Sequence, residues 1–261
     1  MKTICIFNQK GGVGKTTTNI NLCANLAMEG YKILTIDIDP QGNTTSGLGI
    51  DKNKIKKSIY DILTSSTKVE EVIIKSELLE NFFIIPSTVE LAGAEVELIN
   101  VTDRETVLRR KLKEYGGKFD FIFIDCPPSL GLLTINALAA ADSVLIPIQS
   151  EFYALEGVGQ LVNTYQLVKK SLNKELQIEG VLMSMYDSRN NLSVDVVKEV
   201  KKFFKDKVYN TMIPRNIRLA EAPSFGLPIS LFDGNCRGAE AYQSMTKEFL
   251  SRQKEEGINH E

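Results

Sequence analysis

The chain has 261 residues, 43% of them hydrophobic and 25% charged, proportions of an ordinary globular fold that exclude wholesale disorder and collagen-like repeats. Lys plus Arg number 31 against 33 Asp plus Glu, a formal charge of -2, so no global positive field draws the protein onto nucleic acid and any such binding needs a local patch. Four scattered cysteines, Cys5, Cys23, Cys126 and Cys236, form no CxxC pair or Cys/His cluster, which argues for reduced, buried thiols and against a metal site built from them.

The apolar run at 4–7 predicts a strand, residues 8–14 a glycine-rich loop, and 15–29 a helix that Gly30 stops. A second β-branched run at 33–38 closes at Asp39-Pro40-Gln41-Gly42-Asn43, where Pro and Gly impose a turn, completing a βαβ unit. Further strands are expected at 82–85, 119–124, 143–148, 178–185 and 208–213. Helices are expected at 55–64, 88–98, 103–115, 130–141, 153–171, 193–206 and 238–255. Strands spaced by helix-length segments predict an α/β fold: a mostly parallel twisted sheet with helices on both faces. No Pro-, Gly- or Ser-rich linker divides the chain, so one domain is expected over 1–254, with a charged tail at 255–261 that frays. The N-terminal apolar run is too short for a signal peptide, and no stretch of about 18 apolar residues occurs. A cytoplasmic location follows as the expectation.

Gly11-Gly12-Val13-Gly14-Lys15-Thr16-Thr17 lies between the first strand and the first helix, the context a phosphate-binding P-loop requires. Glycines let backbone N–H groups converge on phosphate oxygens, and the helix N-terminus adds positive partial charge. Lys15 reaches the β- and γ-phosphates, the Thr16 hydroxyl takes a Mg²⁺ position, and Thr17 lies near the α-phosphate. Asp39 and Asp125 each end or follow an apolar strand, on the edge where open α/β sheets gather ligands. Asp125 is the expected second partner of Mg²⁺, held through water, and Asp37 a supporting residue nearer the strand. Each of these aspartates also reads as an ordinary N-cap or turn former. Pro127-Pro128 removes two N–H donors and stiffens the loop after Asp125, as a switch segment would need.

Lys10, ahead of the first loop glycine, exceeds the ordinary pattern. Lys10-Gly11-Gly12-Val13-Gly14-Lys15-Thr16-Thr17 resembles the deviant Walker A motif of the ATPases that position plasmids, chromosomes and division sites. Asp37-Ile38-Asp39-Pro40-Gln41-Gly42-Asn43, Phe123-Ile124-Asp125-Cys126-Pro127-Pro128-Ser129 and the run from Ile213-Pro214-Arg215-Asn216 to Pro223-Ser224 resemble its ParA/Soj branch. The resemblance spans nearly the whole chain. It implies a P-loop NTPase that binds ATP and magnesium and turns over slowly, with Lys10, Lys15 and Asp39 catalytic: Lys10 reaching across an ATP-dependent homodimer to the partner's phosphates, and Asp39 orienting the attacking water. It also implies that Pro214 and Asn216 touch the adenine, with Arg215 divided between nucleotide and DNA.

Between residues 187 and 218, eight basic residues oppose four acidic ones. On a helical wheel Val196, Val197, Val200, Phe203 and Phe204 share one side, and Lys198, Lys201, Lys202 and Lys205 fall opposite, facing solvent. By itself such a face is commonly just solvated. The resemblance implies that Arg and Lys of this region, Arg189, Lys198, Lys202, Lys205 and Arg218 among them, hold duplex DNA without sequence preference. It further implies a nucleoid-associated protein released by a ParB/Spo0J-like centromere-binding partner. A MinD-like membrane-positioning ATPase is the alternative; it needs an amphipathic C-terminal anchor, and the stripe Tyr242, Met245, Phe249 and Leu250 is better suited to packing on the sheet. A small-molecule phosphotransferase would need an acceptor pocket, and the chain's one histidine, His260, lies in the tail.

Overall fold

A computed structural model describes residues 1–151, 154–255 and 257. Eight strands form one sheet: β1 (Lys2–Ile6), β2 (Ile33–Asp37), β3 (Ile74–Lys75), β4 (Phe82–Ile85), β5 (Phe121–Asp125), β6 (Ser143–Gln149), β7 (Gln177–Tyr186) and β8 (Val208–Pro214). Their spatial order is β3-β4-β2-β5-β1-β6-β7-β8. All neighbours pair in parallel except the two-residue edge strand β3, which runs antiparallel to β4. The expected fold class is the one observed.

Among the described residues eleven α-helices join the strands or follow the last of them: α1 (Lys15–Met28), α2 (Asn43–Gly47), α3 (Ile59–Thr64), α4 (Leu91–Glu97), α5 (Val107–Tyr115), α6 (Leu132–Ala140), α7 (Ala154–Ser171), α8 (Asn191–Phe204), α9 (Ile217–Glu221), α10 (Ile229–Phe232) and α11 (Arg237–Glu255). Alternation along the strands divides the core in two. Cys5 and Phe7 face a layer made with α3 to α8, and Ile4 and Ile6 face a layer made with α1, α10 and α11. Strands with both faces covered read as near-continuous apolar runs, which is why 4–7, 33–38 and 82–85 were recognisable.

Three local differences from the expectations have identifiable causes. The helix expected from 55 starts at Ile59, because Ser58 and Asp61 form a capping box there, each accepting a backbone N–H near the helix start. The short helices α2, α9 and α10 lack the length that makes a 3.6-residue period readable. Phe203 does not share the buried side of α8: it is 57% exposed, while Val196, Val197, Val200 and Phe204 are buried. Its ring instead meets that of Phe204 edge-on at 4.8 Å. Tyr242, Met245 and Phe249 on α11 are buried in the core, the packing role expected of them. The expected tail at 255–261 falls largely outside the described residues, as does His260. No described helix is long and apolar enough to cross a membrane.

Candidate nucleotide site and basic surface

The loop after β1 is fixed from both sides. Asn8 donates through Nδ2 to the Pro147 carbonyl at 2.7 Å and accepts the Lys10 N–H through Oδ1 at 3.0 Å. Ser184 of β7 donates through Oγ to the Val13 carbonyl at 2.8 Å. Gly12 and Gly14 have φ of 74° and 90°, left-handed values that favour glycine and turn the chain into α1. Gly14 caps α1 with no side-chain hydrogen bond, so the first-turn N–H groups are left for a ligand. The buried Lys15 folds over the loop, its Nζ donating to the Lys10 carbonyl at 3.1 Å. Burial lowers its pKa, opposed mainly by the Asp125 carboxylate.

Two carboxylates meet at the neighbouring strand ends. Asp37 and Asp125 are paired in register across β2 and β5 and are fully buried. Asp37 accepts the N–H of Asp39 through Oδ1 at 3.2 Å, and through Oδ2 the N–H and hydroxyl of Thr45 at 2.8 and 2.7 Å. Asp125 accepts the hydroxyls of Thr16 and Thr44, each at 2.8 Å and both on Oδ2. Its Oδ1 is buried with no hydrogen-bond partner. Burial pushes Asp37 up to about 6, and burial together with the Asp37 charge pushes Asp125 up to about 7. A buried carboxylate oxygen without a donor, next to a P-loop hydroxyl, fits a hard divalent cation that takes few protein oxygens and completes its shell with phosphate and water. No cluster of three or more metal-ligating side chains exists among the described residues.

Asp39 is buried just beyond β2 and accepts the Gln41 N–H at 2.9 Å, so it also closes its own turn. After Asp125, the buried Cys126 sits with its sulfur 3.2 Å from that of Cys5, a packing contact between β1 and the loop. Lys10 is half-exposed, its Nζ 3.6 Å from Glu151, which lies 3.9 Å from Arg215.

A cleft of about 440 Å³ opens beside Gly14 and Thr17 and brings Pro214, Arg215 and Asn216 to the loop. Asn216 uses Oδ1 to cap α9 through the Arg218 N–H at 2.8 Å. Ser184, Met185 and Tyr242 line the cleft too, and Met185 has a left-handed φ of 50° at an irregularity in the β7–β8 pairing. Nothing local marks Ser184 and Met185 in the sequence; they arrive through strand register on β7.

The basic residues lie outside this cluster, and most are paired. Arg189 bonds Asp187 at 2.9 and 3.0 Å, Lys198 bonds Asp195 at 2.9 Å, and Lys202 bonds Glu199 at 2.6 Å. Lys205 is exposed at the end of α8 with a φ of 52°. Arg218 bonds Glu221 and Asp233, both at 2.8 Å, and stacks on Phe232 at 4.8 Å.

A family model described as an AAA domain matches residues 1–178. The sporulation initiation inhibitor protein Soj of Bacillus subtilis is 58% identical over 247 residues, covering 95% of this chain and 97% of that protein. The chromosome partitioning protein ParA of Myxococcus xanthus is 51% identical, covering 96% and 88%. Among solved structures, cobyrinic acid a,c-diamide synthase from Mycobacterium smegmatis with bound ATP analog and magnesium superposes with a TM-score of 0.85 at 35% identity, covering 98% of this chain and 97% of that one.

Proposed function

The chain belongs to the Soj/ParA family of chromosome-partitioning ATPases, and on that premise we propose that it binds ATP with magnesium and uses hydrolysis to switch between a DNA-holding homodimer and a released form. The observation that carries this reading is the 2.8 Å bond from the Thr16 hydroxyl to the buried Asp125, which joins the phosphate loop to the end of β5.

In this reading the loop N–H groups from Gly11 to Thr17 hold the phosphates, Lys15 neutralises their charge, and Pro214 and Asn216 border the base. Thr16 and Asp125 hold the magnesium ion, which when bound supplies positive charge to the β- and γ-phosphates. Asp39 orients water for in-line attack, and Lys10 exchanges Glu151 for the phosphates of a second copy. Because Asp39 follows β2 and the Pro127-Pro128 loop follows Asp125, loss of the last phosphate is felt by two chain segments at once. Turnover is slow until a ParB-like partner completes the site.

Arg189, Lys198, Lys202, Lys205 and Arg218 hold duplex DNA by its phosphates without reading bases, and all but Lys205 exchange a present carboxylate partner for phosphate oxygens. The protein then acts in the cytoplasm on the nucleoid. The test is size exclusion of Asp39→Ala with ATP or ADP, with and without duplex DNA, over a salt series. An ATP-specific dimer that retains DNA at low salt and fails to hydrolyse ATP is expected; normal hydrolysis by Asp39→Ala overturns the assignment. Arg189→Glu combined with Arg218→Glu spares ATP binding and abolishes retention; unchanged retention rejects this surface.

A further inference from the structure

Thr44 lies on the short helix α2, directly after the turn that carries Asp39, and is fully buried. Its hydroxyl has a defined direction. Asn19 of α1 donates through Nδ2 to Thr44 Oγ1 at 3.0 Å and to Thr35 Oγ1 at 2.7 Å. With its lone pair engaged by Asn19, the Thr44 hydroxyl hydrogen points to Asp125 Oδ2 at 2.8 Å. The next residue, Thr45, is tied to Asp37. Consecutive threonines therefore pin α2 to the two carboxylates that sit in register on β2 and β5.

Thr16 and Thr44 both donate to the same oxygen of Asp125, and the other oxygen has no partner. A cation that takes the Thr16 hydroxyl as a ligand uses an oxygen lone pair, so Thr16 still donates to Asp125, but the direction of that bond is then set by the metal. Thr44, anchored by Asn19 and not part of the phosphate loop, is the donor whose direction does not depend on the metal. We propose that Thr44 is a positioning residue for the divalent cation: it holds Asp125 Oδ2 so that Oδ1 is presented to the metal shell. It thereby couples the turn bearing Asp39 to metal occupancy. This inference rests on the nucleotide and magnesium reading above. A hydrogen-bond donor that orients a group of the metal site is typically worth about 10- to 100-fold in metal affinity.

The test is a magnesium titration of the full chain with a fluorescent ATP analogue, for wild type, Thr44→Val, Thr44→Ala and Thr44→Ser. The two variants without a hydroxyl are expected to need about tenfold more magnesium for half-maximal tightening of nucleotide binding. Their affinity for the analogue in excess chelator stays unchanged, and Thr44→Ser matches wild type. Equal magnesium midpoints in wild type and Thr44→Ala overturn the role of Thr44 alone. A parallel loss of affinity in chelator also overturns it, because that marks a merely structural part. If wild type itself shows no magnesium-dependent binding, the nucleotide reading fails and this inference with it. Thr44→Ala and Thr44→Ser keep the comparison available if valine is not accommodated beside Asn19.

Discussion

The strand ends at β2 and β5 and the outer face of α8 are both organised around charge, with opposite economies of structure. Asp37 and Asp125 are fully buried, and five donated hydrogen bonds from Asp39, Thr16, Thr44 and Thr45 converge on them. Lys198 and Lys202 keep side-chain exposures of 65% and 72%, each paired with an acid three residues earlier on its own helix. Buried groups of the first kind are costly to disturb, since every stranded donor loses its partner without gaining water. Exposed pairs of the second kind contribute little to folding and exchange partners readily. The contrast suits the proposed function, which needs one pre-shaped site and one surface that binds and lets go.

The largest effect is expected from Asp37→Ala. It strands the N–H and hydroxyl of Thr45 and the N–H of Asp39, so unfolding in urea should show a loss of about 2 to 3 kcal/mol. A loss under about 0.5 kcal/mol would put the buried carboxylate on the same footing as the surface.

The next effect is in pH. Asp37 and Asp125 have folded-state pKa values raised above the ordinary carboxylate range by burial, so the folded state takes up protons more readily than the unfolded chain. That stabilisation is complete at low pH and is lost as pH rises through about 6 to 7. Without nucleotide or metal, stability should therefore increase on going from pH 8 to pH 5. Asp125→Asn should flatten the profile, and an unchanged profile in that variant would reject the cause. The smallest effect belongs to the surface: Lys198→Gln with Lys202→Gln should change stability by less than about 0.5 kcal/mol. The same pair should lower DNA retention and make it less salt-dependent, by about one logarithmic slope unit for each DNA phosphate that is no longer neutralised.

The two regions also differed in how far they were legible from sequence. The phosphate loop, Asp39 and Asp125 stand out because glycine spacing and strand-ending acids are local patterns, and their strands are buried on both faces and read as apolar runs. The donors that shape the site are non-local. Thr44 reaches Asp125 across 81 residues and Ser184 reaches Val13 across 171, contacts that exist only once sheet order and register are set. The edge strand β3 was invisible at two residues. On α8 the apolar period placed five residues on the buried side; four are buried, and Phe203 turns outward at the last turn, where the helix ends. The carboxylates beside the basic residues were in plain sight, at i−3 from Lys198 and Lys202.

In the proposed function, residues 10–17, with Asp125, grip a magnesium-bound nucleoside triphosphate. Calorimetric titration of ATP with magnesium into wild type and Lys15→Ala decides whether they do. One site per chain is predicted for wild type, weakened about a hundredfold in Lys15→Ala by loss of a charge-assisted bond. No binding by wild type under saturating magnesium, or equal affinity in the two proteins, would contradict it.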